Sequence, residues 1–161
     1  MTASAAPSGP RVGEVAPDFT LPSTAGTNVS LAAFRGTHNV LIAFFPLAFT
    51  STCTAEMCAF SDDFDGFTRA DTVVLPISVD AVASLKEFKA KHGLRVDLLS
   101  DFKRQVSRAY GVLLEEKFHS NRSYFLIDRA GLLRWHHTEL ELKHRRDDAE
   151  LLRQIAQLEA Q

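Results

Sequence analysis

The sequence has little of three features that would place it in a specialised class of protein. Its 161 residues include only two cysteines, too few for the disulfide framework of a small secreted domain. Its longest apolar run, Val40 to Phe49, is about half of the ~20 residues that a membrane-spanning helix needs, and Pro46 interrupts it. The 18 basic residues nearly balance the 20 acidic ones, for a formal charge of −2. Neither nucleic acid nor a membrane is therefore an expected partner.

The beginning of the chain lacks the features of an export signal. Residues 1–12 are small and polar, with neither a basic leader nor an apolar segment, so we expect a cytoplasmic protein. Because so few apolar side chains cannot order a backbone, we predict a flexible tail over 1–12. The remaining stretch, 13–161, has the length of one domain and can bury a core without disulfides or metals.

The hydrophobic pattern alternates between strands and helices. Continuous apolar runs predict buried strands, and apolar residues at spacings of three and four predict amphipathic helices. In chain order, the predicted elements are a hairpin turning at Ala25-Gly26, strand 39–45, helix 54–67, strand 72–79, helix 81–91, a short strand at 98–99, helix 103–110, antiparallel strands 123–128 and 132–137, and a helix after residue 147. This order predicts a three-layer α/β domain with a central mixed sheet and an N-terminal hairpin.

One segment carries the residues of a reaction centre. The strand that ends at Phe45 leads through Pro46 and Thr50 into a helix that has Cys53 near its start. Ligands bind at the carboxyl ends of strands in open α/β sheets, and the free N–H groups and positive dipole of a helix start favour a thiolate. Since a helix terminus alone lowers the pKa of a cysteine only modestly, a nearby cation is also needed to stabilise the thiolate. Arg122, at the head of a later strand, is the best candidate.

These residues match the pattern of a known family. The motif Pro46-x-x-x-Thr50-x-x-Cys53 resembles the active-site signature of the peroxiredoxins, and the segment 121–131 resembles their arginine-bearing strand. Further similar segments occur in the family's order, so the resemblance covers about residues 12–140.

The residues resemble two different subgroups of this family. Segments 45–50 and 98–102 are similar to the alkyl hydroperoxide reductase E type. Cys58, five residues after Cys53, is instead similar to the resolving position of the bacterioferritin comigratory protein (Q) type.

The resemblance implies a fold, a reaction and a set of residue roles. The implied fold is a thioredoxin-like three-layer sandwich, and the implied reaction is reduction of hydrogen peroxide or organic hydroperoxides by Cys53, which becomes a sulfenic acid. The Thr50 hydroxyl is expected to bond the thiolate or the peroxide, and Arg122 to stabilise the negative charge. Pro46 is expected to restrict water, and Glu56 to support the site by orienting the arginine. No cofactor is implied.

Several alternatives stay open in the sequence. Cys58 either resolves the oxidised Cys53 as an intramolecular disulfide or belongs to the core, in which case an external thiol does so. The reductant is a thioredoxin-like protein or a low-molecular-weight thiol, and the chain is a monomer or a homodimer. A peroxide sensor and a general thiol-disulfide oxidoreductase are the rival functions, although the latter usually carries Cys-x-x-Cys.

Two basic segments are interpreted as structural. A metal site at His136-His137 is not expected, because adjacent residues of a strand face opposite sides. The run Lys143 to Arg146 is interpreted as a solvated loop rather than an anion site.

Overall fold

The computed structural model describes residues 9–159, which form a mixed α/β fold. Its elements are β1 (Thr20–Pro22), β2 (Asn28–Ser30), a 3-10 helix (Leu31–Phe34), β3 (Asn39–Phe44), α1 (Ser51–Asp62), α2 (Phe64–Arg69), β4 (Thr72–Ser78), α3 (Val82–His92), β5 (Leu99–Ser100), α4 (Gln105–Ala109), β6 (Leu113–Leu114), β7 (His119–Ser120), β8 (Ser123–Ile127), β9 (Leu133–Thr138) and α5 (Asp148–Glu159).

A five-stranded sheet in the order β5-β4-β3-β8-β9 organises the fold. β3 lies in the middle, parallel to β4 and antiparallel to β8. Every residue of β3 is buried, as the apolar run predicts for a strand covered on both faces. The predicted central mixed sheet is therefore confirmed.

Side chains that alternate along β3 define two hydrophobic layers. Leu41 and Ala43 pack in a cluster with apolar residues of α1, α2, α3 and α5. Val40, Ile42 and Phe44 pack on the opposite face with residues of α4, the 3-10 helix and β1. Helices thus cover both faces of the sheet, which confirms the three-layer arrangement.

The single helix predicted over 54–67 is wrong. The chain forms α1 and α2, separated by Asp63, whose backbone (φ −96°, ψ 13°) leaves the helical region. The break brings α2 against α5, since a Cβ on Gly66 would lie 3.7 Å from Cδ1 of Leu152. The short β6–β7 hairpin is an element that the sequence pattern did not predict.

The remaining elements follow the predictions closely. β1 and β2 form the expected antiparallel hairpin, and β8 and β9 pair antiparallel. α3 ends at His92, and the residue that follows, Gly93, has a positive φ of 59°, which suits a glycine at a helix C-terminus. None of the helices between residues 9 and 159 is long and apolar enough to cross a membrane.

The predicted tail lies mostly outside the described residues. Residues 1–8 are not described, whereas just beyond the tail the N–H of Gly13 donates to the Leu133 carbonyl at 2.7 Å. The boundary between tail and domain stays a prediction.

Candidate active site

Cys53 lies in the first turn of α1, as the sequence predicts. Thr50 occupies the N-cap position directly after the loop that leaves β3, which makes Cys53 the third helical residue. The N–H groups of this turn have no acceptor within the helix. The Cys53 side chain is fully buried and packs in the core cluster that contains Met57 and Phe60.

Arg122 reaches the sulfur from the neighbouring strand. It immediately precedes β8, whose first residue, Ser123, pairs with Phe44 at the end of β3. The arginine therefore meets the chain where β3 gives way to the loop before α1. Its Nη2 donates to Sγ of Cys53 at 3.1 Å, and its side chain is only 1% exposed. The structure thus brings together the two residues that the sequence paired.

Three further hydrogen bonds fix the guanidinium. Nη1 of Arg122 donates to Oε1 of Glu56 at 2.8 Å, and the Glu56 side chain is 0% exposed. Nε and Nη2 both donate to the Leu142 carbonyl, at 3.2 and 3.1 Å. Because every guanidinium nitrogen is engaged, the group is held in one orientation against Cys53. Glu56 therefore contacts the arginine, as expected from the sequence.

Tyr124 extends this buried cluster. Its hydroxyl donates to Oε2 of Glu56 and accepts a hydrogen bond from the Arg146 backbone N–H at 3.0 Å. Burial raises the pKa of Glu56, although Arg122 and Tyr124 act in the opposite direction. Burial alone would lower the pKa of Arg122, but Glu56 and Cys53 outweigh it and hold the pKa above its ordinary value. The arginine is thus a permanent cation beside the thiol.

Thr50 and Pro46 lie at the mouth of the site. The Thr50 hydroxyl donates to the Leu47 carbonyl at 2.8 Å, so its proton is engaged and its lone pairs remain available. Among the described residues, no hydrogen bond joins Thr50 to Cys53, which leaves the expected bond to the thiol as a prediction. Pro46 lines the pocket that leads to the site.

The pocket has a volume of about 250 Å³. Arg122 lines this pocket and also donates to Sγ of Cys53, so the pocket lies next to the buried thiol. Its lining residues are Pro46, Leu47, Thr50, Ser51, Thr52, His119, Arg122, Leu142 and Lys143.

The loop 139–147 is more than the solvated segment expected from its basic run. Lys143 and His144 are exposed, but Arg146 pairs with Glu139 at 2.8 Å, and Nη1 of Arg145 is buried. The preceding residue, Leu142, supplies a carbonyl to Arg122. The run itself is a partly exposed loop, and through Leu142 the segment also contacts the arginine.

Cys58 lies apart from Cys53 on the same helix. Both cysteines are free, and Cys58 is half-buried against the core. His136 stacks on Phe125, and His137 stacks on Trp135, which belong to different layers, so the two histidines face opposite sides. No group of three or more His, Cys, Asp or Glu between residues 9 and 159 is placed to hold a metal ion.

Sequence reasoning missed two members of the site. Tyr124 is two residues from Arg122, and period-two alternation along a strand places such residues on one face, so this signal was available. The Leu142 carbonyl is a backbone group, so no pattern of side chains in the sequence predicts its hydrogen bond to Arg122.

A buried cysteine at a helix start, held by an arginine from the adjacent strand of a mixed sheet, defines a cysteine-dependent enzyme of the thioredoxin-like fold. Residues 12–136 match the family model described as the AhpC/TSA family, and the chain belongs to that family. The chain is therefore a peroxiredoxin, a thiol-dependent peroxidase.

Named relatives and solved structures agree with this placement. Alkyl hydroperoxide reductase E of Mycobacterium tuberculosis (strain H37Rv) is 41% identical over 126 residues, covering 77% of this chain and 82% of that protein. Peroxiredoxin Bcp of Escherichia coli is 38% identical over 127 residues, covering 75% and 81%. The reduced 2-Cys peroxiredoxin of Plasmodium vivax superposes with a TM-score of 0.86 at 30% identity, over 92% of this chain and 82% of that one.

Proposed function

We propose that Cys53 is the residue that reduces the peroxide. The 3.1 Å contact between Nη2 of Arg122 and Sγ of Cys53 carries this proposal, because a fixed cation stabilises a thiolate. The thiolate attacks one peroxide oxygen, the O–O bond breaks, and water or an alcohol leaves. Cys53 becomes a sulfenic acid.

The other site residues take supporting roles in this proposal. Arg122 and the free N–H groups of the first α1 turn stabilise the negative charge that moves from sulfur to oxygen. Glu56 holds the guanidinium in position through its 2.8 Å ion pair. Thr50 offers hydroxyl lone pairs to the peroxide O–H, and Pro46, which has no N–H, covers the pocket without attracting water.

Cys58 is proposed to resolve the sulfenic acid as an intramolecular disulfide. α1 is continuous from Ser51 to Asp62, so residues five apart are separated by about 7.5 Å along the axis and about 8.6 Å between Cα atoms. Paired cysteines need Cα atoms within about 6.8 Å. The first turns of α1 therefore have to unwind before the disulfide forms.

The proposal also includes the reductant and the oligomeric state. A thioredoxin-like protein or a low-molecular-weight thiol regenerates the thiols, and the chain acts as a monomer or a homodimer. A cytoplasmic location is the expectation carried from the sequence. The half-burial of Cys58 against the core favours a second possibility, a one-cysteine cycle in which an external thiol attacks Cys53 directly.

Intact mass spectrometry after one equivalent of peroxide tests both cysteines. We expect the wild type to become about 2 Da lighter as the disulfide forms. Cys58→Ser should instead become about 16 Da heavier and react with a sulfenic-acid trap. Cys53→Ser should remain unchanged, and peroxide turnover by that variant would refute the role of Cys53.

Hydrogen exchange on the same samples tests the unwinding. We expect the amides from Thr52 to Phe60 to exchange faster only after oxidation. A stable, trappable sulfenic acid in the wild type, with no mass loss and no new exchange, would contradict resolution by Cys58. That result would establish the one-cysteine cycle.

A further inference from the structure

The peroxide reaction needs a proton for the leaving oxygen, and Arg122, Thr50 and Lys143 are poor donors of it. When the O–O bond breaks, the leaving oxygen departs as hydroxide or alkoxide and has to be protonated. An arginine holds its proton too tightly to give it up near neutral pH. The proton of the Thr50 hydroxyl is engaged with the Leu47 carbonyl. Lys143, the other cation lining the pocket, is paired with Glu141 at 3.3 Å.

His119 is the one imidazole among the residues that line the pocket. Histidine is the side chain whose ordinary chemistry allows it to give and take a proton between about pH 5 and 8. The side chain is half-buried, and Nδ1 lies 2.8 Å from the Ser120 carbonyl, so Nδ1 carries the hydrogen and donates it. Nε2 has no hydrogen-bond partner among the described residues and is not among their buried unpaired atoms, so it is open to the pocket or to solvent.

The backbone around His119 fixes its position. Phe118, the residue before it, has a positive φ of 61°, and its carbonyl accepts a hydrogen bond from Nε of Arg104 at 2.9 Å. The hydroxyl of Ser120, the residue after it, donates at 3.3 Å to the carbonyl of Phe45, which precedes Pro46. β7 is thereby attached to the same strand end that carries the pocket.

We propose that His119 is a further catalytic residue, the general acid that protonates the leaving oxygen. The inference rests on the proposed role of Cys53. In the step, the Cys53 thiolate forms a bond to the terminal oxygen of ROOH, which carries the hydrogen, and the electron pair of the O–O bond moves to the oxygen attached to R. The protonated imidazole gives its Nε2 proton to that oxygen. The products are the sulfenic acid, ROH and neutral His119, which takes a proton from water.

Peroxides with different leaving groups distinguish a general acid from a residue that only supports the structure. Loss of a structural residue would slow the reaction with both peroxides equally. Ethyl hydroperoxide and peracetic acid have nearly the same size, but the first releases ethoxide, which needs a proton, and the second releases acetate, which does not. The variant His119→Asn keeps an amide donor near the position of Nδ1 and removes Nε2. Single-turnover oxidation of Cys53 is measured with each peroxide by acid quench and intact mass.

We expect His119→Asn to slow the reaction with ethyl hydroperoxide by about 100-fold and the reaction with peracetic acid by less than about threefold. His38→Asn is the matched control, because His38 is exposed, does not line the pocket and also has a local Nδ1 contact, to Thr37 at 3.0 Å. Equal slowing with both peroxides, or none with either, would overturn the assignment of His119.

Two further measurements separate a loss of general acid catalysis from misfolding and from failure of the role proposed for Cys53. Circular dichroism checks that His119→Asn is folded, and His119→Gln replaces it in the same comparison if it is not. Oxidation of Cys53 in the wild type by both peroxides establishes the proposed function independently. A negative result with the His119 variants then refutes only the general acid.

Discussion

Asp148 places a carboxyl group where ionisation is costly. It is the first residue of α5, its side chain is only 5% exposed, and neither of its carboxyl oxygens has a hydrogen-bond donor within residues 9–159. Burial, and then the nearby carboxyl of Asp63, raise the pKa of Asp148 to about 8. Arg145 acts in the opposite direction, and Glu56 adds to the increase. The helix dipole that favours acids at this end does not compensate.

The direction of the pH dependence follows from this pKa. Between 3.8, the ordinary value, and about 8, the folded protein keeps a proton that the unfolded chain releases. The free energy of unfolding therefore falls as pH rises through this window, and the stabilisation is fully present only below about pH 4. About 4 pH units at about 1.4 kcal/mol each give a maximum of about 6 kcal/mol. Because local undocking of α5 would solvate the carboxylate, we expect a measured loss of about 2–3 kcal/mol.

Asp148→Asn removes the ionisation and keeps the shape of the side chain. Urea unfolding, followed by circular dichroism from about pH 5 to about pH 8.5, measures the free energy of unfolding. We expect the variant to be more stable than the wild type already near pH 5, and the difference to grow with pH to about 2–3 kcal/mol near pH 8. Asp62→Asn, at an exposed position of α1, is the control and should keep the wild-type slope. Parallel pH profiles for Asp148→Asn and the wild type would refute the reasoning.

Two further variants test the buried cluster around the thiol. Arg122→Ala should lower the rate of Cys53 oxidation by about 100-fold or more, because the fixed cation is lost, and stopped-flow measurement with peroxide in excess follows this rate. The same variant should lose about 3–5 kcal/mol of stability in urea unfolding, since Glu56 is left buried without its partner, and an unchanged midpoint would contradict the buried ion pair. Tyr124→Phe should cost about 1–3 kcal/mol because Glu56 loses a donor, while the oxidation rate changes by less than about tenfold. A larger effect on rate than on stability would place Tyr124 in the reaction itself.

The reactive centre was accessible from the sequence because its signals are local or strongly periodic. The apolar run of β3 predicts a strand buried on both faces, and the next helix starts within a few residues of its end. These two local patterns suffice to place Cys53 in a first helical turn. Arg122 is 69 positions away, and no local pattern joins two such distant residues. The need for a cation made Arg122 a candidate, and the family resemblance supported its pairing with Cys53.

The parts that the sequence did not predict depend on tertiary placement. The break at Asp63 has no proline or terminal glycine to announce it. Asp148 fits the pattern of an acid at a helix start, and the neighbouring Asp147 does accept the N–H of Glu150 at 2.9 Å. Burial of Asp148 arises only because α5 docks where α1 meets α2. Asp147 thus caps the helix start as the local pattern predicts, whereas the environment of Asp148 is set by tertiary packing.

The position of Glu56 links the two halves of the proposed cycle. It lies on α1 between the two cysteines, and its ion pair with Arg122 holds the guanidinium against Cys53. In the proposed cycle, attack on peroxide uses the ion pair of Glu56 and Arg122, whereas disulfide formation requires the same helical turns to unwind and to carry Glu56 away from Arg122. In this proposal oxidation itself weakens the cluster, because a sulfenic acid is neutral, whereas the proposed thiolate is an anion facing the guanidinium. The proposed unwinding therefore begins from a site that has just lost one of the charges holding it closed, and the reduced site stays folded until peroxide has reacted.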